Sequence, residues 1–576
     1  MRLLSAHPGR LGALAAALLL AAASAGAARA GTPTYSVTAL GDFGATVGPD
    51  CGFDAPHWSA ANAIDNAGDV VGWSSYYRCG STIFGALWSG GTITDLGTFP
   101  PPNDYQNSVA TALNGSGQIA GRSGGFSSPF PGYPFLYDSG TMTNLGTFGC
   151  DSSCANLVGN TASGINASGQ IVGWAYTGPP ATARAFLTSG GPLEDLGTLG
   201  GPDSYAYGIS DSGQISGKAS IGSAYHAFLA SGGTMQDLGT LGGSNSSARA
   251  VNALGVTAGY SELAGDGSAH AFVDDGAGML DLGTLGGPDS AVQALNRWGQ
   301  AAGFSTVDPA GPHSSNLDRD PAAKPTADLH AFVASGGAMQ DLNGMIDPAS
   351  GWTLLQANGI NDRGQIVGIG VLAGASGPQA FLLNDVLPPS IFLVSPANRA
   401  VYTLGQSVSA RYSCTDAGSG VATCAGPVPS GGRIDTSRVG PHFFVVTASD
   451  HAGFRSRAIA GYSVHYVFSG FFRPLDNPPA LNAVRGGSTV PVKFGLAGDQ
   501  GLQILAAGSP SSAQIDCDTG SRLADAEPAA GTLGYDVTAG TYTYEWKTSA
   551  AWTDTCRQLD VALVDGTVRS TLFRFR

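Results

Sequence analysis

The sequence predicts an all-β protein: a seven-bladed β-propeller followed by two smaller β-rich modules. Three observations carry that expectation. A phrase clearest as Ile165-Asn166-Ala167-Ser168-Gly169-Gln170-Ile171-Val172-Gly173 occurs seven times, the copies beginning at Ile64, Leu113, Ile165, Ile209, Val251, Leu295 and Ile360. Their final glycines stand 49, 52, 44, 42, 44 and 65 residues apart, a period that suits one four-stranded blade per unit. Composition agrees, because 86 Gly and 33 Pro in 576 residues set a turn every few positions. Only 12% of residues are charged, against about 25% in an average soluble protein, which disfavours long charged helices. The third observation is a segment ahead of the first unit, Tyr35 to Gly41, with the pattern of the one strand that the seventh unit lacks.

Residues 1–30 read as an export signal: Arg2 and Arg10 supply positive charge, Leu11 to Ala23 is apolar, and Ala28-Arg29-Ala30 is a small-x-small cleavage site. Within residues 31–386 the fourth unit is the least interrupted and shows how a blade is made. Ala206 to Ser210 alternates as a strand, and Asp211-Ser212-Gly213 turns with glycine in the left-handed position. Gln214 to Lys218 returns, with Gly217 marking a place where a bulky neighbour or another backbone packs close. His226 to Leu229 and Met235 to Gly239 are the third and fourth strands. Leu96, Leu145, Leu196, Leu238, Leu282 and Leu342 mark six fourth strands, whereas the seventh unit stops after Phe381-Leu382. Residues 34–41 are expected to supply the missing strand by pairing near Phe381, leaving no open seam.

The run Asp237-Leu238-Gly239-Thr240-Leu241-Gly242-Gly243 with His226-Ala227-Phe228 resembles the HAF-repeat family of bacterial extracellular proteins over roughly residues 34–386. Three copies keep the histidine, at His226, His270 and His330; the others have Gly85, Tyr133, Arg184 and Gln379 there. The resemblance implies an exported repeat protein and no established reaction. Residues 387–466, with short alternating strands and the Cys414 to Cys424 segment, resemble a bacterial immunoglobulin-like β-sandwich. Residues 467–576 are a C-terminal β-rich module in which Val490-Pro491-Val492-Lys493-Phe494 is similar to a PxKF motif.

Eight cysteines fall into sequence-local pairs, as expected in an oxidising compartment: Cys51 with Cys79, Cys150 with Cys154, Cys414 with Cys424, and Cys517 with Cys556. Metal binding is the competing reading, but no C-x2-C occurs and few histidines lie near these cysteines. The histidines lie on third strands of separate blades and read as buried groups satisfied within their own blade, not as converging ligands. Gly121-Arg122-Ser123-Gly124-Gly125 has nucleophile-elbow spacing but leads into no helix. Asp266-Gly267 and Asp416-Ala417-Gly418 are the loops with calcium-type ligands, and turn chemistry explains the same residues without an ion. Neither a catalytic set nor a metal site is assigned.

A net charge of −15 opposes nonspecific binding to nucleic acid or anionic lipid, and no apolar stretch after residue 30 is long enough to span a bilayer. The functional expectation is an exported monomeric binding or adhesion protein, extracellular, on the cell surface or in the periplasm. Its ligand is a glycan, polymer or protein. The alternative is a propeller hydrolase or lyase acting on extracellular polysaccharide, which requires a convergent acid and base. The ligand face is expected opposite the Asn166 to Gly169 type turns, where loops vary in length as far as the Thr306 to Asp328 insertion. Tyr105, Tyr176, Tyr205 and Tyr260, in or beside those loops, are the candidate contact residues.

Overall fold

The computed structural model describes residues 34–44, 58–77, 81–99, 107–124, 132–149, 159–178, 181–310, 317 and 328–576. The export signal, Tyr105, Cys51, Cys79, Cys150, Cys154 and most of the Thr306 to Asp328 insertion lie outside the described residues. Two compact units emerge, one ending at Leu387 and including Ala417–Ser419, the other formed by Pro388–Asp416 and Gly420–Arg576. No described helix is long and apolar enough to cross a membrane.

The described residues of the first unit form seven four-stranded antiparallel sheets. In the fourth sheet, strands Ser204–Ile209, Ile215–Ile221, Ala224–Ser231 and Thr234–Gly239 lie side by side in chain order. Its second and third strands run further than the sequence suggested, because the connection at Gly222 is a tight left-handed turn, φ +61°. Gly217 has both neighbours anticipated for it: an added Cβ would collide with the Tyr205 carbonyl and the Phe228 ring. The equivalent Phe135, Phe186, Phe272, Phe332 and Phe381 are likewise fully buried. Each contributes roughly 1.5–3 kcal/mol of burial.

The seventh sheet is completed from the other end of the unit. Strand Tyr35–Ala39 pairs antiparallel with Gln379–Asp385, Tyr35 opposite Asp385 and Ala39 opposite Phe381, which is the expected pairing.

Adjacent sheets are joined by side chains that the repeat places at fixed points. Ser204 Oγ donates to Gly197 O (2.6 Å) and accepts from Ala185 N (3.0 Å), both in the preceding sheet's segment. Ser108, Ser246 and Ser290 do the same. Between the seventh and first sheets, Ser59 Oγ accepts from Ala380 N at 3.0 Å. At the turns, the asparagine of the repeated phrase caps its own loop, as Asn166 Oδ1 does for Ser168 N and Gln170 N. Its Nδ2 donates onward to the next sheet: Asn114 to Asn166 O, Asn166 to Ser210 O, Asn252 to Asn296 O, Asn296 to Asn361 O and Asn361 to Asp65 O, at 2.8–3.2 Å. Asp65 and Ser210 hold the same place but have no amide to donate.

Every first strand of the unit also carries an unpaired residue at the same place in the repeat. The ladder skips it between Ala61 and Ala63, Ala110 and Ala112, Ala162 and Gly164, Ala206 and Gly208, Ala248 and Ala250, Val292 and Ala294, and Ala357 and Gly359. A bulge of this kind re-aims the extra side chain and sharpens the local twist. The residues it re-aims are Asn62, Thr111, Ser163, Tyr207, Arg249, Gln293 and Asn358.

The second unit holds two apolar cores. One, around Ala410, Phe444, Val446, Tyr462 and Val464, is flanked by the two-stranded sheet of Ser390–Ser395 with Arg411–Thr415 and by a four-stranded sheet. The other gathers Phe494, Tyr542, Trp546 and Phe573 between a four-stranded and a five-stranded sheet. Val490, Val492 and Phe494 of the PxKF-like stretch face this core from strand Thr489–Phe494. Disulfides join Cys414 to Cys424 and Cys517 to Cys556, as the sequence spacing suggested.

Candidate functional site

The HAF histidines are satisfied locally, but they are not buried as expected. His226, His270 and His330 side chains remain 20–28% exposed. Each places Nδ1 against the aspartate of the fourth strand in its own sheet: His226 with Asp237 (2.9 Å), His270 with Asp281 (2.9 Å), His330 with Asp341 (2.7 Å). The aspartate's other task is a turn, since Asp237 Oδ1 accepts from Gly239 N and Asp281 Oδ1 from Gly283 N. Where arginine replaces histidine the partner is kept, Arg184 pairing with Asp195 at 2.9 Å. Where Tyr133 stands instead, the aspartate position is Asn144. The constant separation of eleven residues was the signal available in the sequence. These pairs clamp third strand to fourth, and such exposed pairs contribute about 0–1 kcal/mol each.

The elbow-like serine is inert by position. Ser123 lies buried in strand Ile119–Gly124, its Oγ accepting from Phe99 N at 3.2 Å. Asp266 of the first calcium-type loop accepts from Ser244 N (2.6 Å) and Ser244 Oγ (2.7 Å), bonds that hold its carboxyl below the usual range. In the second such loop, Asp416 Oδ1 accepts from Gly420 N at 2.7 Å.

Tyr176, Tyr205 and Tyr260 lie within strands, not in loops. Tyr260 is 8% exposed and packs with Ala269, Ala291, Phe304 and Leu329, so little of its ring is offered to a ligand. The residue after the second-strand glycine is large in every sheet: Trp73, Arg122, Trp174, Lys218, Tyr260, Phe304 and Ile369.

Tyr176 and Tyr205, by contrast, come together with residues the sequence reading did not select. Tyr205 is the second residue of its strand and Tyr176 ends the second strand of the sheet before, both at the end of the sheets away from the Ser210–Gly213 type turns. Trp174 meets Tyr205 edge-on at 5.1 Å and Tyr176 at 5.6 Å, and Tyr225 lies 6.1 Å from Tyr205. Lys218, opposite Tyr205 across the ladder, holds Nζ 5.2 Å from the Tyr205 ring and 4.9 Å from that of Tyr225. Asp203 is engaged at both oxygens, accepting from Ala183 N (2.9 Å) and Tyr225 OH (3.2 Å). Two residues along the same strand, the bulged Tyr207 carries the Arg249 guanidinium 4.3 Å above its ring. Arg249 makes a long contact from Nη2 to Gln293 Oε1 at 3.4 Å.

All these aromatic and cationic side chains are half-buried. Burial pushes the Tyr205 hydroxyl far above its usual range, and the nearby Tyr225, Asp203, Tyr176 and Tyr207 add to it. Tyr176 and Tyr225 are raised for the same first reason, with Asp203 next. The arrangement is therefore a surface of neutral, hydrogen-bonding rings with two cations set among them. It suits stacking and polar recognition, not proton transfer near neutral pH.

No family model matches the chain, and no curated protein matches it in sequence. Solved structures do. The chain is similar to fibronectin(III)-like modules of Clostridium thermocellum CbhA, with 14% identity over 32% of this chain and 94% of that one, TM-score 0.14. It is similar to the extracellular domain of protocadherin GammaB4, with 13% identity over 37% and 38% and TM-score 0.13. A third is the extracellular domain of the putative hybrid two component system BT3049 from B. thetaiotaomicron, with 10% identity over 75% of this chain, 57% of that chain's length and TM-score 0.31. Likenesses this slight carry no argument about function.

Proposed function

We propose that this is an exported, non-enzymatic binding protein of the HAF-repeat type, acting outside the cytoplasm. In this reading its seven sheets are the blades of a closed β-propeller, and immunoglobulin-like and PxKF-type modules space or attach it. Closure is supported by the Asn361–Asp65 and Ser59–Ala380 bonds, which run from the last sheet back to the first. Two disulfides fit an oxidising compartment. The observation that carries the binding role is the half-buried group of Trp174, Tyr176, Tyr205 and Tyr225 at one end of adjacent sheets. Rings held rigidly by a sheet and left partly open bind with little loss of conformational entropy, and sugar faces are their natural complement.

The test is a glycan array on the full chain, run beside a reducing-end assay on the retained polymers. The expected result is retention without chain cleavage, weakened about tenfold or more by Tyr205→Ala with little change in melting temperature. New reducing ends would sink the non-enzymatic reading. Retention insensitive to Tyr205→Ala would remove this surface from it.

A further inference from the structure

We infer that the C-terminal β-rich module binds an extended peptide of a partner protein, which adds as a strand to the open edge of Leu481–Val484 and turns an acidic side chain toward Arg485. The inference stands apart from the glycan-binding role and concerns the part of the chain proposed above to space or attach it.

Three observations carry it. First, strand Leu481–Val484 ends its five-stranded sheet and pairs, parallel, on one side only, with Val568–Phe575. Arg576 N donates to Val484 O at 2.9 Å, which fixes the phase of that ladder. Val484 and, two residues back, Asn482 turn their main-chain groups to the partner strand, so Leu481 and Ala483 turn theirs to the open side. Both of these residues are exposed. An N–H and a C=O are thus presented twice, about 7 Å apart, which is the repeat of an extended chain. The ligand that meets both pairs at that spacing is another extended main chain.

Second, the strand borders a cleft of about 310 Å³, lined also by residues 474–476 and 488–491. That volume lies at the lower end of the range for ligand pockets, and it can take side chains of an added strand. The other strand along the cleft, Thr489–Phe494, is a poor template. Thr548 N donates to Ser488 O, which sets its phase so that Pro491 stands among the residues facing outward, and proline has no N–H to offer. Phe471–Phe472 already pairs with its other end.

Third, charge gives the peptide its character and its register. Arg485 lines the cleft just past the strand and is exposed. Its bonds are made at its own carbonyl, which accepts from Ser488 N and Ser488 Oγ, and its guanidinium enters no ion pair. Asp476 lines the same cleft and is tied to the Asn482 side chain, Oδ1 accepting from Asp476 N (2.7 Å) and Nδ2 donating to Asp476 O (3.0 Å). From Asn482 to Arg485 the strand advances about 10 Å. An acidic side chain on the peptide is therefore attracted at the Arg485 end and repelled at the Asp476 end.

The experiment pans the full chain against a phage-displayed library of random linear decapeptides and measures the most enriched peptide, labelled, by fluorescence anisotropy. The enriched peptides should carry an acidic residue. Methylating the peptide's amide nitrogens at alternate positions should abolish binding in one phase and leave it within about twofold in the other, the period of an added strand, and this measurement uses the unaltered chain. Ala483→Pro removes an edge N–H and none that pairs with Val568–Phe575; it should weaken binding at least about tenfold, whereas Ala483→Ser should not. Arg485→Gln should weaken it about threefold, and less at high salt. Circular dichroism checks that the variants are folded. Failure to enrich any peptide, or methylation effects without alternation, would overturn the inference. So would an unchanged affinity in folded Ala483→Pro. Dimers of the unliganded chain that Ala483→Pro abolishes would put a second copy on this edge and overturn it too.

Discussion

The same bulged position does different work in two arcs of the first unit. In the seventh, first and second sheets it holds Asn358, Asn62 and Thr111, which bond to the backbone of the next sheet at Ala61 O, Ala110 O and Ala162 O, 2.7–2.8 Å. In the fourth, fifth and sixth it holds Tyr207, Arg249 and Gln293, which contact one another. One arc uses the extra residue to stitch neighbouring sheets; the other turns it onto the bulged side chain of the adjacent sheet. The difference teaches that a repeat can keep its backbone geometry constant and still move a side chain from a backbone contact to a side-chain contact, because the residue type at the bulge decides what it reaches.

The largest effect should come from the stitched arc. Removing residues 34–39 strips the outer strand from the seventh sheet and exposes the edge of Gln379–Asp385. The first unit should lose its cooperative melt and aggregate; an unchanged thermal transition by calorimetry would break the comparison. Next in size is Asn361→Ala. Asn361 is 4% exposed, caps its turn through Arg363 N and Gln365 N, and donates to Asp65 O. Its loss should cost roughly 2 kcal/mol in urea unfolding. A smaller contrast sharpens the two roles. Asn62→Ala should lower stability by about 1 kcal/mol and leave ligand binding unchanged, whereas Arg249→Ala should do the reverse. Equal effects of the two on stability would show that both arcs are structural.

The smallest effect concerns pH. Tyr176, Tyr205 and Tyr225 ionise above their usual value in the folded chain. Below pH about 10 the folded and unfolded chains both keep these protons, so the stabilisation is fully present. It is lost as pH rises from there through the raised folded values. Alkaline titration of tyrosinate absorbance should show a delayed group that is released together with unfolding. The delay should shrink by one tyrosine in Tyr205→Phe.

Turns and strand pairs were legible in the sequence because they have local causes. Gly169 and its six counterparts occupy left-handed turns at φ +71° to +98°, a conformation that selects glycine. The closing strand was legible because a fourth-strand pattern stood where no unit needed it. The bulges were not, since an extra polar residue between two small ones, as Asn62 sits between Ala61 and Ala63, reads as ordinary alternation. The candidate site was only half legible for the same reason. Tyr205 stands out as an aromatic near a turn, but its partners Trp174, in the sheet before, and Lys218, across its own ladder, meet it only through the fold. Tyr260 misled because its ring packs with Phe304, Ala291 and Leu329, whereas Trp174 at the same place in the third sheet stays half-buried beside Tyr205.

The pairing of Tyr35 with Asp385 also sets a clock. The two lie 350 residues apart, so the first strand formed by the emerging chain is among the last in the unit to find its partner. By polymer scaling, closing that span costs about 4 kcal/mol more entropy than closing a four-residue hairpin. Contacts this distant in sequence slow folding. Until closure, Gln379–Asp385 is an open template, and every neighbouring molecule carries an identical Tyr35–Ala39 strand that fits it. Refolding at high concentration should therefore yield strand-exchanged dimers, seen by size-exclusion chromatography as a fraction that rises with concentration and vanishes on dilution before folding begins.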